Sequence, residues 1–182
     1  MLSQKVKLNW VFIQEMAFRA VPNWWPRAFL ALSALYTYKF HAYMASPVEL
    51  KEWAKKNNVS YRTILRGLKK LIEEGLVRSE GSYYILTPQG TQLAKLILQE
   101  MAEIKDIIEG ASDIHELETK SNEFKGRLKH VADVIRGKIP NSEVAMYALS
   151  FLESYLNTAV TILKNIMQNI KAEEEIMEIL KR

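Results

Sequence analysis

The chain has 182 residues, 48% apolar and 25% charged, enough for one domain with a real core or a small domain with an appendage. It contains no cysteine, which excludes disulfides and thiolate metal sites. Residues 1–90 carry thirteen Lys/Arg against six Asp/Glu and residues 91–182 twelve against fifteen, so the net +4 conceals a basic half suited to nucleic acid and an acidic half suited to protein or water.

The first sixteen residues lack the continuous apolar core and the small-residue cleavage site of a secretory signal. Residues 28–44 hold Lys39 and His41 and fall short of the roughly 20 apolar residues a membrane span needs. A cytoplasmic protein with no membrane partner is expected. A first helix is predicted over 3–19, ended by a break between Pro22 and Pro26. A second is predicted over 26–42, with Phe29, Leu30, Leu32, Leu35 and Tyr36 at core spacing.

Ser46-Pro47-Val48-Glu49 is a capping box with proline in the first turn, opening a helix to about Asn57. Asn58 suits a left-handed turn position. Ser60 then caps a fourth helix, whose Ile64, Leu68, Leu71 and Ile72 should be buried and which Gly75 ends. Gly67, in mid-helix, implies close approach of a neighbouring helix. Residues 76–79 and 82–86 read as two strands joined at Glu80-Gly81, and Thr87-Pro88-Gln89-Gly90 leads into a helix reaching Glu109.

Trp53 to Ile64, Leu68 to Val77 and Leu86 to Gly90 together resemble the helix-turn-helix, the end of the recognition helix and the wing-to-helix junction of the MarR and PadR transcriptional regulators. The resemblance spans about residues 28–110. It implies a winged helix-turn-helix with a short β-hairpin wing. Asn57 stands where the family has an apolar residue, implying a differently packed turn. The short hairpin around Glu80-Gly81 implies less minor-groove contact than a long basic wing makes.

On a helix with Ile64, Leu68, Leu71 and Ile72 buried, the opposite face presents Tyr61, Arg62, Thr63, Arg66 and Lys70. Such a helix fits the major groove, where Arg62 and Arg66 would grip guanine and Thr63 a thymine methyl. Ser60 and Tyr61 would donate to phosphate. Lys55, Lys56, Lys69 and Lys70 would also bind phosphate, and Arg78 and Tyr83 would reach the backbone or minor groove.

Beyond Gly110, Ile114, Leu117, Ser121, Phe124, Leu128, Val131 and Ile135 keep heptad spacing. Gly137 and Pro140 break the chain before a helix of about 40 residues. That helix carries a seam of Ala145, Leu149, Leu152, Leu156, Ala159, Leu163, Ile166 and Ile170, resumed by Met177 and Leu180. A second stripe, Ala148, Phe151, Tyr155 and Ile162, implies packing on two sides over 144–163. The seam serves either packing within the chain or a homodimer through Leu149, Leu152, Leu156, Leu163, Ile166 and Ile170. Three regions follow: 1–25 as an N-terminal dimerisation element, 26–110 as the DNA-binding domain, and 111–182 as a helical dimerisation or partner-binding region.

The expected fold class is mainly α, with long C-terminal helices in a bundle or coiled coil. The expected function is a homodimeric, sequence-specific regulator of double-stranded DNA, in the sense of a repressor. A low-specificity architectural or partition-type DNA binder and a protein-interaction adaptor are the alternatives. The three histidines, His41, His115 and His130, are too scattered for a metal site, no nucleophile or phosphate-loop motif is present, and neither a cofactor nor enzyme activity is expected. Trp10, Trp24, Trp25, Phe18 and Tyr36 suit core or interface packing better than a small-molecule effector pocket.

Overall fold

The computed structural model describes residues 6–182. Among them are seven α-helices and one three-stranded antiparallel sheet: α1 (Trp10–Ala17), α2 (Trp25–Thr37), β1 (Met44–Ala45), α3 (Pro47–Lys56), α4 (Tyr61–Glu73), β2 (Val77–Glu80), β3 (Tyr83–Leu86), α5 (Pro88–Gly110), α6 (Ile114–Lys138) and α7 (Glu143–Leu180). The chain is mainly helical, as expected. No described helix is long and apolar enough to cross a membrane.

Local chemistry sets most boundaries. The Ser46 hydroxyl accepts from the Glu49 amide and the Glu49 carboxylate accepts from the Ser46 amide, the reciprocal pair that opens α3. Asn57 closes α3 with its own side chain, its Nδ2 donating to the Trp53 carbonyl at 2.8 Å, so a polar residue serves where the resemblance implies an apolar one. Asn58 takes φ 54°, and α4 begins three residues later. The Leu76 amide reaches back to the Leu71 carbonyl across Gly75 at φ 74°, ending α4 in a left-handed stop.

Three sequence expectations are corrected. The first helix starts at Trp10, where the Asn9 side chain caps it; residues 1–5 lie outside the described part. The second helix begins at Trp25 and stops at Thr37, because Tyr38 leaves helical geometry and the chain turns through Ala42 and Tyr43, both at positive φ. That corner releases β1, which the sequence did not signal. Met44 pairs with Ile85 and Ala45 with Tyr84, giving the order β1-β3-β2. Finally, Ile72 is 40% exposed, because it lies on the flank of α4 with Leu65 and not on the Ile64–Leu68–Leu71 stripe.

The core joins all elements. Alanines 28, 31 and 34 make a flat face on α2, and α4 lies on it at Gly67. An aromatic stack built from α2 and α7, with Phe18 after α1, holds the centre: Trp25, Phe29 and Phe151 have ring centroids 4.9–5.4 Å apart, and Phe18 lies 5.4 Å from Phe151. Trp10 packs on Tyr155 at 5.6 Å, and Tyr36 stacks on Tyr43. The flagged aromatics are therefore packing residues.

α6 and α7 form an antiparallel hairpin, marked at its open end by the ion pair of Glu118 with Lys164. The heptad residues Leu117, Ser121, Phe124, Leu128 and Ile135 are buried against it. On α7, Ala145, Leu152, Leu156, Ala159 and Leu163 are buried on one side and Ala148, Phe151 and Tyr155 on the other, as the two-stripe pattern implies. The Ser121 hydroxyl sits in this seam with no hydrogen-bond partner among the described residues. Replacing it removes a desolvated polar group, so Ser121→Ala should raise stability by about 1 kcal/mol, read by urea denaturation. An unchanged or lower midpoint would mean the hydroxyl is satisfied.

Candidate nucleic-acid interface

The outward stripe of α4 consists of Arg62, Arg66 and Lys69, all exposed, with Glu73 at its far end. The period of 3.6 residues puts them opposite Ile64, Gly67, Leu68 and Leu71, which are buried. Lys55 and Lys56, in the last turn of α3, are exposed next to the Asn57–Asn58 turn. Among the described residues none of these five cations has an ion-pair partner within 4 Å. Among the described residues they form a cluster of positive charge outside any close ion pair.

Other expected DNA-facing residues lie elsewhere. The Ser60 hydroxyl is engaged at the start of α4, accepting from the Thr63 amide at 3.2 Å and sharing a 2.8 Å hydrogen bond with the Thr63 hydroxyl. Tyr61 lies on the flank, half-buried, and burial together with the nearby Tyr84 phenol raises its pKa. Arg78 on β2 sits 3.4 Å from Glu80 of the same strand, which neutralises it in part, and Tyr83 on β3 is 43% exposed.

Lys70 is corrected most clearly. Its ammonium lies 4.5 Å above the Trp24 ring, 3.6 Å from Glu74 and 3.5 Å from Glu143, and so is turned toward the α7 end of the molecule, away from the Arg62–Arg66 stripe. Glu74 completes a clasp: one carboxylate oxygen accepts from the Ser142 hydroxyl at 2.6 Å and from the Val144 amide at 3.2 Å. The end of α4 is thereby fastened to the first turn of α7. The Trp25 indole adds a buried bond to the Val144 carbonyl at 2.9 Å.

Leu152, Leu156 and Leu163, expected as dimerisation residues, are buried inside the chain, where α6 folds back along α7. Leu149, Ile166 and Ile170 remain half-buried. Sequence reasoning missed Lys51, whose ammonium sits 5.2 Å over the Tyr61 ring and places another exposed cation beside the start of α4. Its spacing of four from Lys55 on the same helix was the available signal.

No family model, no curated protein and no solved structure matches this chain.

Proposed function

We propose that the chain is a double-stranded DNA-binding transcriptional regulator, a winged helix-turn-helix of the MarR and PadR kind, that acts as a homodimer with α4 in the major groove. The observation that carries this reading is the row of Arg62, Arg66 and Lys69 on α4, exposed, without an ion-pair partner among the described residues and flanked by Lys55 and Lys56. The arginines suit bidentate reading of guanine, and the lysines neutralise phosphate. The β2–β3 hairpin plays the part of the wing. Its four-residue strands and the Arg78–Glu80 pair give it a minor share in binding. The reading includes a homodimer because paired recognition helices read two half-sites and gain the affinity one module lacks.

Selection of bound duplexes from a random library tests the reading. The expected result is one enriched pseudo-palindrome, bound at nanomolar strength, with affinity falling steeply as salt rises. Binding with no enriched sequence would replace it with an architectural role. No binding at low salt would remove DNA from the proposal altogether.

A further inference from the structure

Between Glu153 and Lys171, α7 holds one charged residue, Lys164, and its ammonium is engaged by Glu118 of α6. At ordinary composition a stretch of this length carries about four charges. Its outward row at helical spacing is Thr158, Thr161, Asn165 and Gln168, and the same row runs on through Ala172 to Ile176 and Ile179. Along its first part, Phe12 and Met16 of α1 form a shallow cleft of about 350 Å³ with Asn157, Thr158, Thr161 and Ile162, none of them charged. Phe12 is 47% exposed there, and neighbouring Val11 69%. At the far end α7 outruns α6, leaving Ile176 and Ile179 57% and 67% exposed. Solvated helix faces carry charge, whereas the centres of protein interfaces lose it.

We propose that this face is covered by the same face of a second copy, with the two α7 helices antiparallel about a twofold axis near Ile170, so that Ile179 of each copy enters the Phe12–Met16–Ile162 cleft of the other. Positions 161 and 179 are equally far from 170 and about 27 Å apart along the helix, so one rotation brings each projection onto the other copy's cleft. Projection and cleft lie on one row, and the row positions between them, Asn165, Gln168, Ala172 and Ile176, are uncharged, so the centre of the contact closes without stranding an ion. In this arrangement Glu173–Glu175 lie across from uncharged residues 165–167, whereas a parallel pair would set the two glutamate runs side by side. A copy of the chain therefore fits this face better than a charged partner does.

The absence of cysteine gives a direct test. Ile179→Cys and Thr161→Cys combined in one chain should yield a disulfide-linked dimer under mild oxidation with copper-phenanthroline, because the two sites meet only between copies. Each single variant should stay uncrosslinked. Light scattering should give twice 21.0 kDa for the native chain and a single-chain mass for Ile179→Glu, an exposed position whose change leaves the helical circular dichroism intact. Crosslinking by Ile179→Cys alone, or an Ile179→Glu chain that stays dimeric, would overturn the proposal. The inference rests on the two-copy part of the proposed function and not on DNA binding. A monomeric native chain removes both, while a dimer indifferent to Ile179→Glu removes this face and leaves the homodimer standing.

Discussion

Replacing Arg62 and Arg66 together by alanine should weaken binding to the selected DNA site by about 100-fold or more. Each bidentate arginine–guanine pair discriminates by about 1–3 kcal/mol, and about 1.4 kcal/mol is tenfold in affinity. Both guanidinium groups are exposed and neither has an acidic partner within the described chain, so the change removes no internal ion pair and the fold should be untouched. Fluorescence anisotropy at fixed salt measures the loss. Specificity should collapse with affinity, the variant binding the selected and a scrambled duplex almost equally. Lys55→Ala and Lys56→Ala should behave differently: affinity falls for every sequence, and the slope of log affinity against log salt flattens by roughly one unit for each phosphate no longer neutralised. If the double arginine variant binds the selected site as the native chain does, α4 does not read the sequence.

Gly67→Ala should destabilise the protein by about 2–3 kcal/mol, although alanine is the better helix former by about 1 kcal/mol. A Cβ at position 67 would lie 2.0 Å from the Arg27 carbonyl oxygen and 2.9 Å from the Ala31 Cβ. The first neighbour is helix backbone and cannot swing aside, so α2 and α4 must separate, and the packing of Ala28, Ala31 and Leu68 loosens with them. For a chain of this size the melting temperature should fall by about 5–10 °C. Gly126 is the control: it too is helical, but a Cβ there meets nothing within 4 Å. Gly126→Ala should therefore raise stability by about 0.5–1 kcal/mol. Thermal denaturation followed by circular dichroism separates the two. If both substitutions stabilise, α2 and α4 do not pack as closely as described.

What the sequence revealed and what it concealed divide along the length scale of the interactions involved. Ser46, Asn58, Ser60 and Gly75 act on backbone within a few residues, so their signals were readable and the elements they bound lie where expected. The heptad of α6 and the double stripe of α7 were readable because periodicity reports a buried face. Periodicity does not say which helix covers that face, and α6 took Leu152, Leu156 and Leu163 that a homodimer was expected to share. The two-residue strand β1 is too short to carry a pattern and exists because β3 offers it an edge. The helix start at Thr87-Pro88 was readable locally, but the reason for Gly90 is spatial and was not: a Cβ there would lie 1.9 Å from the Leu76 carbonyl oxygen. For Lys70, spacing assigned a surface, but its partners Trp24 and Glu143 come from distant segments and no local rule reports them.

The clasp of Glu74 on Ser142 and Val144 has a mechanical consequence. α7, with 38 residues, is about 57 Å long, and its first turn is fastened to the end of α4. Because α7 is buried against the rest of the chain at intervals from Val144 to Met167, that turn does not tilt alone: the clasp couples α4 to the α6–α7 hairpin as a whole. A load taken up anywhere along the hairpin therefore enters α4 through Glu74, as a displacement of the whole body and not as a swing of one end.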